Sequence, residues 1–222
     1  TLNELNESLT QNLPAEAKTF MERLRSSLAL GKHVFLKNEI NSSYKFDMTS
    51  DDQSKVVMNS DWKENATMGR APDEDSSVIH NTSHCAIYGT VIKYIHPNHN
   101  KIAFLEVAGF TRALDKSSLA AIKTEVNLLA EALDFDEDFK VAFEAADEVI
   151  GYYDRGKHYF SEEFLFDRLV NWPKKHQKAY RLQFFEGGHG KKLVDGNVFG
   201  NQHVGGTLVQ LRRRVRLMSH SQ

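Results

Sequence analysis

Apolar residues near the start of the chain recur at helical spacing. Ala17, Phe20, Met21, Leu24 and Leu28 share one face, Asn12 can cap and Pro14 suits a first turn. The pattern predicts a helix ending at Gly31, with a short strand over His33 to Lys37. Periodicity then fades. From Asp47 to Asp75 eight acids face three bases, with Gly69 and Pro72 among them. This predicts a long acidic loop over about 47–76, broken by one short strand near Val56 to Met58.

The clearest β pattern follows. His84 to His96 holds Ile87, Tyr88, Thr90, Val91, Ile92, Tyr94 and Ile95, apolar on both faces as in a central strand. Pro97-Asn98-His99-Asn100 supplies turn chemistry, and Lys101 to Ala108 returns, so residues 84–108 read as a hairpin. Asp115 or Ser117 can cap a helix through Leu119, Ile122, Val126, Leu129 and Leu133. A second helix is predicted from Phe139 through Ala142, Ala146, Val149 and Ile150 to Tyr153, although Phe139 to Phe143 also alternates like a short strand. Ser161 caps a third, which Pro173 is expected to end. Ala179 to Phe185 and Gly206 to Leu217 read as strands around a glycine-rich stretch. Helix, strands, helices, strands is the order of an α+β fold, here one domain over 1–222 with a mainly antiparallel sheet and three or four helices.

Size and charge refine this picture. A chain of 222 residues, 41% hydrophobic, can bury a core without disulfides or metal, and its one cysteine, Cys85, permits no internal disulfide. No stretch has the ~20 apolar residues of a membrane span, and the first residues lack signal-peptide order, so the expected location is the cytoplasm. The formal charge of −2 conceals an imbalance: from Arg168 to Gln222 there are eleven Lys or Arg against Glu186 and Asp195. Such asymmetry points to an anionic partner.

Alternation within the last strand puts Val209, Leu211, Val215 and Leu217 on one face and Arg212, Arg214 and Arg216 on the other. Neighbours on that face stand about 6.7 Å apart, and guanidinium forks suit phosphate. Lys174, Lys175, Arg181, Lys191 and Lys192 extend the set across a basic part spanning 174–218. The leading expectation is a non-enzymatic binding or adaptor domain for nucleic acid or another polyanion, with no cofactor. The competing expectation is an edge strand whose charge blocks edge-to-edge pairing. The acidic loop over 47–76 offers a further reading, a surface for a basic protein partner.

Chemistry is thinly signalled. Glu186 to Lys192 is glycine-rich but lacks the spacing and the Ser/Thr of a phosphate loop. His80, His84, His96, His99 and Cys85 are zinc-ligand types, yet His84 and His96 sit about 40 Å apart on an extended strand, which prevents one site from using both. Cys85 has no base signalled beside it, because adjacent strand residues point to opposite faces.

Phe104 to Gly109 followed by a helix from Ser117 resembles the central segment of PD-(D/E)xK nucleases, in which an acid and a lysine one residue apart hold a divalent metal and position a water. Glu106 stands at the acid position. Ala108 replaces the lysine, and Asp73 and Asp75 lie upstream rather than on the preceding strand. The resemblance implies an inactive or rearranged relative, with Lys93 or Lys101 as substitutes for the lysine.

Overall fold

A computed structural model describes residues 14–68, 83–111, 116–186 and 210–214. Its elements are α1 (Ala15–Thr49), β1 (Lys55–Met68), β2 (Ser83–His96), β3 (Lys101–Thr111), α2 (Ser118–Phe135), α3 (Glu137–Ala145), β4 (Glu148–Tyr153), α4 (Glu162–Phe166), a π-helical turn (Asp167–Asn171), α5 (Trp172–His176), β5 (Ala179–Phe184) and β6 (Gln210–Arg214). The strands form one sheet in the order β5-β4-β1-β2-β3-β6. β1, β2, β3 and β6 pair antiparallel, whereas β1, β4 and β5 pair parallel. The α+β class holds, and the sheet is mixed.

The sheet has helices on both faces. Val56, Met58, Trp62, Tyr88, Leu105 and Tyr153 face a large core with α2 and α3 residues, Phe164 and Trp172. On the other face Tyr44 and Met48 of α1 pack on Val57, Ile150, Tyr152 and Phe185.

Four sequence expectations are corrected. α1 runs through Gly31, so residues 33–37 are helical. One exposed glycine costs a helix only about 1 kcal/mol. The contacts of Ile40, Tyr44 and Met48 with the sheet, four residues apart, hold the helix in phase.

The acidic loop over 47–76 contains a 14-residue strand, β1, in the middle of the sheet. Two of its buried polar residues are satisfied inside the sheet: Asn59 donates to the Tyr152 carbonyl at 3.2 Å, and the Ser60 and Thr90 hydroxyls meet at 3.0 Å. Of that stretch, residues 50–54 are the described ones outside α1 and β1, and residues 69–76 lie outside the described residues.

The helix predicted through Tyr153 stops at Ala145, and Val149, Ile150 and Tyr153 belong to β4. Finally, Pro173 does not end the third helix. The turn before it widens to π geometry, with the Trp172 N–H bonded to the Asp167 carbonyl, which accommodates a proline ring inside a continuous helix. Gln177, at φ 54°, makes the left-handed stop.

The hairpin matches its prediction, with Lys93 opposite Phe104 and His96 opposite Lys101. Ser117 caps α2 through the Ala120 N–H, and Ser161 caps α4 through the Phe164 N–H.

Candidate functional site

The basic residues of the C-terminal part do not gather on one edge. Arg181 lies on β5 and Arg212 and Arg214 on β6, at opposite ends of the sheet order. Five strand spacings put those edges about 24 Å apart. β6 pairs with β3, placing Arg212 opposite Glu106 and Arg214 opposite Phe104. The side chains of Arg212 and Arg214, and the whole of Arg216, Lys191 and Lys192, lie outside the described residues. Lys174 and Lys175 are exposed in the last turn of α5.

Three cations of the segment are engaged inside the fold. Arg181 grips Glu148 with two hydrogen bonds, at 3.1 and 3.0 Å. Lys178 donates to the Glu144 and Ala146 carbonyls, closing the end of α3. Arg168 is fully buried and forms an ion pair with Glu125 at 3.0 Å. Conversely, the acid Glu186 meets Arg155 at 3.0 Å and His33 at 3.3 Å.

The Arg168 pair is the most elaborate polar cluster described. Tyr88 and Tyr153 donate to the two Glu125 oxygens at 2.5 and 2.7 Å. With the Tyr153 proton so committed, Tyr180 donates to the Tyr153 oxygen at 2.5 Å. Rings of Phe164, Trp172 and Tyr180 surround the guanidinium at 5.0, 5.2 and 5.8 Å. Burial, then the Glu125 charge, holds the Tyr88 and Tyr153 hydroxyls far above their usual range. Burial works against charge on Arg168, but Glu125 and the tyrosines outweigh it and keep the guanidinium protonated. Gly151 makes room for the cluster, since a Cβ there would strike the Tyr180 hydroxyl and the Tyr153 ring. Glu125 and Arg168 have no exposed surface, which suits this cluster to holding α2 and the π turn against the sheet rather than to receiving a solute.

Glu106 is buried on β3, and Ala108 beside it is apolar and buried. Lys93 is wholly buried on β2, and among the described residues its ammonium has no hydrogen-bond partner. Burial pulls it down to about 8, against the opposing charges of Asp52, Asp47 and Asp51. Lys101 is exposed at the start of β3. Asp73, Asp75 and His80 lie outside the described residues, as do the side chains of His84 and Cys85. His96 meets Asp138 at 3.3 Å and His99 ring to ring at 4.6 Å, closing the hairpin tip.

Among the described residues, the group whose ligand atoms converge at metal-binding distance lies elsewhere: Asp61, Asp154 and His158, within 4.8 Å of one another. Sequence reading missed all three. Asp154 and His158 follow β4 four residues apart around Gly156, a local signal, but Asp61 lies far away in the chain. Compared with protein-family models, curated proteins and solved structures, the chain matches none.

Proposed function

We propose that the protein is a nucleic-acid-binding domain that contacts phosphates through its basic C-terminal part. The charge imbalance carries this reading. Removing Arg168, Lys178 and Arg181 from the eleven cations leaves eight, including the exposed Lys174 and Lys175. Of the two opposing acids, Glu186 is already paired with Arg155. Clustered arginine on an edge strand can meet a phosphate backbone without competing for ladder hydrogen bonds. Arg181 is better assigned to its pair with Glu148 than to a ligand.

The test is anisotropy of labelled single-stranded and duplex oligonucleotides at rising salt. Binding should weaken by about 0.9 log units per log unit of salt for each neutralised duplex phosphate. Replacing Arg212, Arg214 and Arg216 together by Gln should reduce that slope by up to about 2.7. Lys174→Gln with Lys175→Gln probes the other edge separately. Absence of binding to any oligonucleotide at low salt overturns the proposal, and binding to heparin alone redirects it to another polyanion.

A further inference from the structure

We propose that Asp61, Asp154 and His158 form a site for a divalent transition-metal ion where the parallel strands β1 and β4 meet the following loop. The site is independent of the nucleic-acid reading.

Topology brings its members together. Asn59 pairs with Tyr152 across the parallel ladder, so Asp61 and Asp154, each two residues further on, continue side by side. Beyond β4 the chain turns tightly. The Gly156 N–H donates to Asp154 Oδ1 at 2.9 Å, and the Gly156 carbonyl accepts from the Tyr159 and Phe160 N–H groups at 3.0 and 2.9 Å. This turn returns His158 to the two carboxylates, with Nε2 at 4.0 Å from Asp154 Oδ1. Metal–ligand bonds of about 2.1 Å separate two donors of one ion by about 3.0 to 4.2 Å, so that gap fits a shared ion.

A second, independent observation is the unmet polarity here. His158 Nε2 is buried and, among the described residues, has no hydrogen-bond partner. Buried polar atoms are seldom left unmatched. A cation between the two carboxylates and the imidazole would give His158 Nε2 the partner it lacks. One imidazole with two carboxylates favours manganese or zinc over magnesium or calcium, and three protein donors leave positions open for water.

The experiment uses the full chain freed of metal by chelation, with calorimetric titration of MnCl2 and ZnCl2 and with MgCl2 and CaCl2 as comparison. One Mn²⁺ or Zn²⁺ per chain should bind and raise the melting temperature. His158→Gln and Asp154→Asn should each weaken binding at least 10-fold while the metal-free melting temperature stays near the parent's. Gly156→Ala should do likewise, since its Cβ would come within 2.7 Å of His158 Cε1 and 2.8 Å of Asp154 Oδ1. If Asp154→Asn does not fold, His158→Gln decides alone. No Mn²⁺ or Zn²⁺ binding at millimolar concentration, or undiminished binding by His158→Gln, overturns the proposal, as does equal affinity for Mg²⁺.

Discussion

Two buried cations show what a single residue does once water is removed from it. Arg168 has Glu125, three aromatic faces and Asp167, which accepts from its Nη1 at 2.8 Å. Arg168→Met would strand the Glu125 carboxylate in the core, and the expected loss is about 3–5 kcal/mol in urea unfolding. Glu125→Gln added to it should recover part of that loss, because no unpaired charge remains. Lys93 is the opposite case, with charges near it but no bonded partner among the described residues. Its value of about 8 lies below the ordinary 10.5, so the unfolded chain holds the proton more tightly. Stability should therefore rise as pH climbs from about 8 towards 10.5, and the penalty is constant below that window. Lys93→Met should be the more stable protein at pH 7, and its advantage should shrink by roughly 2 kcal/mol between pH 8 and 10, read from paired denaturation curves. A sequence count treats Arg168, Lys178 and Arg181 as surface charge. Only the fold reveals that each already has an anion or carbonyl.

Elements were legible in the sequence where their determinants are local. The β2–β3 hairpin announces itself by its run of β-branched and aromatic residues and by a tip that supplies Asn100 at φ 47°, and α2 by its serine cap. Only the Val56 to Met58 part of β1 was legible; the rest was hidden because Asn59 and Ser60 are satisfied by Tyr152 and Thr90 in ways that only pairing creates. β4 was hidden for another reason: Ala142, Ala146, Val149, Ile150 and Tyr153 keep helical spacing, and the break at Asp147 is made by bonds to Ser54 and Ala179. Two of the three members of the metal candidate left a local signal, since Asp154 and His158 flank Gly156 in one tight turn. Asp61 left none, because a parallel crossover leaves no trace in local pattern.

At the scale of the whole molecule, the sheet order separates what the sequence places together. The basic C-terminal part supplies both outer strands, β5 and β6, so its charge is divided between two edges instead of forming one patch. The same order leaves β1 between an early partner and a late one. β2 follows it directly, whereas Asn59 and Tyr152, bonded across the β1–β4 junction, are 93 residues apart. That separation sets a timetable for synthesis. At about 5–20 residues per second, the β4-facing edge of β1 waits for roughly 5–19 s after it emerges from the ribosome. An uncovered strand edge is a template for wrong partners. Pulsed hydrogen exchange during refolding should find the β1–β2–β3 amides protected before those of β4 and β5, and simultaneous protection would contradict this order. A nascent chain arrested before Glu148 should accordingly depend on a chaperone to stay monomeric, and one arrested well beyond Phe184 should not.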